Sequence, residues 1–189
     1  MARPSEKDVK YKQDAQKLTW DQLNSLWGHI RQGATPDWER GKALEHLVVR
    51  AFELSGLRVE YPYHVPPGGN PIEQIDGMVF LDNTPFLIEC KDQDGVDVET
   101  IAKLRNQLLR RPPSTLGCVF ITGEFTEPAL ILADFTVPHQ ITLWSHGDIE
   151  SALSACDFKE SLIRKYHHLC MYGMTDHSPN YKALEVKND

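Results

Sequence analysis

The apolar residues of this chain change their period at Ser55-Gly56, and that switch excludes both an all-helical bundle and an all-β fold. Upstream, Leu44, Leu47, Val48, Ala51 and Phe52 recur at helical spacing. Downstream, Leu57, Val59, Tyr61, Tyr63 and Val65 alternate with Arg58, Glu60, Pro62 and His64, which predicts a half-buried strand with an irregular edge at Pro62. Thr35, Pro36, Asp37 and Glu39 predict the start of the helix that ends at Ser55. An earlier helix is expected from Thr19, boxed by Gln22 and striped by Leu23, Leu26, Trp27 and Ile30, to Gly33. Residues 1–17 are polar and read as a frayed helix or a disordered arm.

Beyond a turn cluster at Pro66-Pro-Gly-Gly-Asn70-Pro71, two strands are expected at Gln74–Leu81 and Phe86–Lys91, joined by a hairpin-length link. Val98, Ile101, Leu104 and Leu108 mark an amphipathic helix that ends before Pro112-Pro113. The continuous apolar run Gly117–Thr122 predicts a central strand buried on both faces. Helices at 126–135, 148–155 and 158–172 and a strand at 140–144 complete the pattern, with a polar tail beyond Gly173. Helices alternating with strands and one hairpin give an α/β fold: a central mixed β-sheet flanked by helices, with an extra N-terminal helix and a C-terminal helix. The segments divide as 1–34, an N-terminal helical arm; 35–157, the central domain; and 158–189, a C-terminal helix and tail.

A chain of 189 residues with 41% hydrophobic and 25% charged residues has the material for a substantial core. No stretch reaches the roughly 18 apolar residues of a membrane span, and Met1–Leu18 is too polar for a secretory signal. Cys90, Cys118, Cys156 and Cys170 are scattered, which suits a reducing cytoplasm and not a structural zinc site or a disulfide framework. A net charge of −7 argues against coating nucleic acid by bulk charge and leaves room for a local basic groove. Lys103, Arg105, Arg110 and Arg111, with Gln107 among them, supply such a stretch; a phosphate contact and a solvated helix face both fit it.

The chemistry concentrates at Ile75-Asp76-Gly77 and Ile88-Glu89-Cys90-Lys91. Strand alternation places Phe86, Ile88 and Cys90 on one face and Leu87, Glu89 and Lys91 on the other, near the strand end where α/β sites gather. Asp76, on the adjoining strand, joins them if the register allows. Two carboxylates, the backbone carbonyl of Cys90 and water make an oxygen-rich set suited to Mg²⁺, with Mn²⁺ as a substitute. Such an ion polarises a phosphodiester and activates water, while Lys91 orients the water and offsets developing charge. An exposed Glu89–Lys91 ion pair of little consequence fits the same spacing.

Other candidates are weaker. His139, His146 and His177 fall in loops, His167-His168 diverge around a helix, and His64 follows the polar face of its strand. Cys90 points to the apolar face as a buried thiol, and no P-loop lysine follows the glycines at 68–69. The four tryptophans read as core or interface residues.

Gly41-Lys-Ala-Leu-Glu45, Ile75-Asp76-Gly77 and Ile88-Glu89-Cys90-Lys91 together resemble the PD-(D/E)xK nuclease superfamily, the restriction-endonuclease-like fold. The closer resemblance is to the Mrr-type restriction endonuclease catalytic domain. Val98–Leu108, Gly117–Gly123, Phe125-Thr126 with Ala129, and Ile141–Trp144 follow the order of that domain over residues 38–155. The resemblance implies Mg²⁺-dependent cleavage of DNA that leaves 5′-phosphate and 3′-hydroxyl ends, in restriction or phage defence. It implies Asp76 and Glu89 as metal ligands, Lys91 as the catalytic lysine, and Glu45 as a helix carboxylate that assists the metal or orients Lys91. A double-strand cut needs two sites, which points to a homodimer, and a specificity subunit stays open as a partner. The chain lacks a proline before Asp76 and a recognisable helix-turn-helix. Junction or repair cleavage by the same chemistry, and a non-catalytic DNA-binding module, are the alternatives.

Overall fold

The computed structural model describes residues 5–65, 73–96, 98–135, 138 and 140–176. Its centre is a five-stranded mixed sheet in the order β1-β4-β5-β7-β9. These strands are β1 (Arg58–Glu60), β4 (Gly77–Leu81), β5 (Thr84–Lys91), β7 (Leu116–Ile121) and β9 (Ile141–Trp144). The β1, β4 and β5 half is antiparallel, whereas β5, β7 and β9 run parallel. As the apolar run foretells, β7 is central, with Cys118, Val119, Phe120 and Ile121 wholly buried.

Helices cover both faces, giving the expected α/β class. One face carries α2 (Trp20–Arg31), α3 (Lys42–Leu54), α6 (His146–Ser154) and α7 (Phe158–Tyr172), packed on Phe86, Ile88, Cys90, Phe120 and Trp144. The other carries α4 (Val98–Leu108) and α5 (Glu127–Phe135), packed on Leu87, Val119, Ile121 and Leu143. Strand β5 thus has the two-faced pattern that its alternation predicts. Trp144 lies among Phe52, Phe120 and Phe158, and Lys165 of α7 pairs with Asp148 of α6 at 2.9 Å in the interior. Residues 20–31 and 158–172 therefore bury side chains in the same cluster as α3. Among the described residues no helix is long and apolar enough to cross a membrane.

Four expectations change. The N-terminal segment is neither frayed nor disordered over Glu6–Ala15, which forms α1 with a Ser5–Asp8 capping box. Tyr11 and Ala15 are buried, and the Tyr11 ring stacks on Trp38 at 5.1 Å, so an apolar pair hidden in a polar stretch docks the helix. The third helix begins at Lys42 and not after Thr35, because residues 36–41 form turns that present Trp38 to Tyr11 and His46.

The strand expected over 57–65 breaks at Tyr61-Pro62, where the buried Tyr61 donates its hydroxyl to Glu53 at 3.0 Å. The continuation, β2 (Tyr63–Val65), leaves the main sheet and pairs with β3 (Glu73–Ile75). The strand expected over 74–81 is likewise two strands, β3 and β4, parted at Asp76. A second small pairing joins β6 (Gly95–Val96) to β8 (Glu124–Phe125). The expected turn at 66–71, His139, His177 and the tail beyond Asp176 lie outside the described residues.

Candidate functional site

The antiparallel register sets Gly77 opposite Ile88, and its continuation would set Ile75 opposite Cys90. Strand β3 instead turns away to β2, and the side chain of Asp76 takes the place of the missing strand. Its Oδ2 accepts the backbone N–H of Cys90 at 2.9 Å, which fixes the carboxylate beside the end of β5. Gly77 makes room for the helix above: a Cβ there would lie 2.5 Å from Val49 Cγ2 of α3. That close approach brings the first turn of α3, with Glu45, over Asp76.

Glu89 projects from the opposite face and is fully buried. Lys91 Nζ lies 3.0 Å from its Oε1. A second ammonium, Lys103 Nζ of α4, donates to both Glu89 oxygens at 2.7 Å. Glu45 is held by Lys42 at 2.7 Å, while Arg50, the other basic neighbour in its helix, pairs with Glu53.

Glu45, Asp76, Lys91 and Lys103 line one open pocket of about 910 Å³, together with Arg40, Asp92, Gln93, the α4 residues Glu99, Ala102, Asn106 and Gln107, and Arg110 just past the end of that helix. Glu89 is buried behind the two lysines and does not itself line the pocket. Of the five basic-helix candidates, Lys103, Gln107 and Arg110 therefore face the pocket, and Arg105 and Arg111 do not line it. Arg110 and Arg111 grip the buried Glu73 at 2.6 and 3.0 Å, tying the end of α4 to β3. Burial alone would raise the Glu73 carboxyl, but the Arg111 and Arg110 hydrogen bonds hold it below the usual range.

The sequence reading missed Glu73, Arg40 and the Lys103–Glu89 pairing. The signal for the last was present, since positions 99, 102, 103, 106, 107 and 110 form the polar face opposite Ile101, Leu104 and Leu108. His64 is exposed on β2, and His146 pairs with Glu124 at 2.8 Å. His46 sits among Tyr11, Trp38 and Tyr61, where burial pushes its imidazole down to about 4. The Cys90 thiol packs on the α3 face, and burial raises it well above an ordinary thiol, so it is no nucleophile at neutral pH.

The electrostatics are those of crowded acids. Burial, then the Glu89 charge, pushes Asp76 up to about 6; burial, then Asp76, pushes Glu45 up to about 7. Lys91 is raised: desolvation opposes its charge, but the attractions of Glu89 and Asp76 together outweigh it. A carboxyl raised in the fold adds stability below its unfolded value, roughly 4, and loses it as pH climbs through the folded value. His46 has the opposite dependence, since a depressed imidazole costs stability as pH falls. Comparison of wild type with Glu45→Gln in EDTA cancels the His46 contribution. The substitution is expected to become progressively more stabilising from about pH 5 to about pH 8. Denaturant titrations at several pH values check this, and a pH-independent difference would refute the raised Glu45.

A family model described as "Restriction endonuclease" (Mrr_cat) matches residues 38–153. No curated protein matches the chain. Three solved structures resemble it. A protein of unknown function, AF1548, is 23% identical, with TM-score 0.43, over 53% of this chain and 56% of its own. The DNA modification-dependent restriction endonuclease AspBHI is 19% identical, with TM-score 0.48, over 81% of this chain and 40% of its own. The MspJI restriction endonuclease, in complex with a 27-mer oligonucleotide, is 17% identical, with TM-score 0.41, over 94% of this chain and 40% of its own. The chain thus spans about half or less of each of these proteins. The family match extends from Trp38 through Leu153, takes in every pocket residue named above, and covers well over half of the sequence: the chain belongs to the Mrr catalytic-domain family of restriction endonucleases.

Proposed function

We propose that the chain is a divalent-metal-dependent endonuclease that hydrolyses DNA phosphodiester bonds, with Mg²⁺ as its ion and Mn²⁺ as a substitute. The observation that carries this reading is the convergence of Asp76, Glu89 and Lys91 at the end of β5, in a chain of restriction-endonuclease family.

The donor chemistry fits a hard cation. Asp76, Glu89 and the backbone carbonyl of Cys90 offer oxygen alone, and the upward shifts of Asp76 and Glu45 mark a place where more positive charge would be welcome. Among the described residues no group of three or more Asp, Glu, His or Cys side chains is gathered to hold a metal. Two carboxylates suffice for Mg²⁺, which keeps water and substrate phosphate in its remaining positions. When bound, the ion would supply Lewis-acid polarisation of the phosphate and a more acidic water.

The protein groups do the rest. Lys91, a cation held against Glu89, orients the attacking water and offsets charge growing on the phosphate oxygens. Glu45, clamped by Lys42 and raised by burial and by Asp76, assists the metal or orients Lys91. Lys103, Gln107 and Arg110 line the wall where the DNA backbone would lie. Water adds to phosphorus, the bond to the 3′ oxygen breaks, and that oxygen leaves protonated. A double-strand cut needs two such sites, so the active form is taken as a homodimer, and restriction or phage defence in the cytoplasm is the setting this implies.

Supercoiled plasmid, linear duplex and a four-way junction should each be incubated with Mg²⁺, Mn²⁺ or EDTA. Cleavage with either ion and none with EDTA or in Glu89→Gln is expected. No cleavage with any ion, or cleavage that survives EDTA or Glu89→Gln, would end this reading; a marked preference for the junction would redirect it towards structure-selective cutting.

A further inference from the structure

Glu89 carries two ammonium groups, and they are not equivalent. Lys91 follows on the same strand, meets one oxygen at 3.0 Å and is 33% exposed. Lys103 reaches across from α4, meets both oxygens at 2.7 Å and is 43% exposed, with the open pocket alongside it. Both oxygens of a carboxylate with no solvent exposure are therefore occupied by a side chain anchored on a different element. A divalent cation that takes an oxygen of Glu89 must therefore part it from an ammonium. Lys103 is the more exposed of the two lysines, holds both oxygens from a separate element, and has the pocket volume for its flexible stem to move into. Ala102, the neighbouring residue on the pocket wall, leaves that volume unobstructed.

We propose that Lys103 is a displaceable counter-ion: its ammonium holds Glu89 in place, and a divalent cation reaches that carboxylate by driving the lysine off it. This rests on the metal-dependent reading above. The displaced ammonium stays in the same pocket, where it faces the phosphate that the metal attends. One lysine thus answers two anions in turn, and metal affinity is held down until substrate gives the ammonium a second partner.

Mn²⁺ binding to the full chain, measured by calorimetry without DNA, tests this. Lys103→Met is expected to bind Mn²⁺ about tenfold more tightly than wild type, and Lys103→Arg about as weakly as wild type. Arg110→Gln removes the same charge from the pocket wall but from Glu73, and is expected to change the Kd less than threefold. An unchanged or weaker Kd in Lys103→Met, or equal tightening in Arg110→Gln, would overturn the counter-ion role. If Asp76→Asn still abolishes Mn²⁺ binding in that event, the metal-dependent reading survives alone. If neither wild type nor Lys103→Met binds Mn²⁺, or if Asp76→Asn binds it unchanged, both fall together.

Discussion

Lys91→Ala is expected to slow phosphodiester cleavage by about 10²–10³-fold while leaving the fold nearly as stable as wild type. The two halves of that statement have different origins. Glu89 keeps Lys103 on both oxygens when Lys91 is gone, so the buried carboxylate is not left uncompensated. The lost pair is partly exposed on the lysine side, which limits the stability change to less than about 1 kcal/mol. Catalysis has no such substitute, because Lys103 approaches from the helix layer and Lys91 from the strand end beside Asp76. Single-turnover cleavage at saturating Mg²⁺ and a thermal melt on one preparation give both numbers. Wild-type cleavage by Lys91→Ala would remove this residue from the chemistry.

The largest expected loss of stability comes from Gly123→Ala. A Cβ at this position would lie 2.1 Å from the carbonyl oxygen of Asp94 and 2.4 Å from its carbon, both backbone atoms with nowhere to go. The two segments are also stitched together on either side of the contact. Thr122 donates its N–H to Lys91 O at 3.2 Å, Glu124 to Asp94 O at 3.0 Å, and the Thr122 hydroxyl to Asp92 at 3.1 Å. Adding a methyl group prises these apart, at about 3 kcal/mol, or roughly 6–12 °C in Tm for a chain of this size. Cleavage should fall as well, because Asp92 and Gln93 of the displaced loop line the pocket immediately after Lys91. Denaturant unfolding of Gly123→Ala checks the first part; a change under about 0.5 kcal/mol would show that the loop yields freely.

Periodicity was a good guide to whatever repeats. The alternation of Phe86 to Lys91 correctly separates Ile88 and Cys90 from Leu87 and Glu89, because β5 is regular and buried on both faces. The helical stripe of α3 is equally legible, as is the burial of β7. The irregular positions were not. Asp76 reads as one more strand residue, yet the chain breaks there and its carboxylate replaces a ladder bond. Thr35-Pro36 has every local mark of a helix start, but residues 36–41 form turns instead, and Trp38 stacks on Tyr11. Tyr11 and Trp38 are 27 positions apart in sequence. No local pattern reports such a pairing, and the same holds for Lys103 on Glu89.

The break in the strand at Asp76 and the helix that follows β5 together have an evolutionary corollary. Asp76, Glu89, Lys91 and Lys103 all arise from one uninterrupted stretch of chain, a hairpin and its crossover helix. The outlying helices α2 and α7 bury apolar side chains in the layer beneath this stretch. Exchange at either flank would leave these four residues together on one segment, and only Glu45 with its Lys42 partner would have to be supplied anew by whatever helix packs over Gly77.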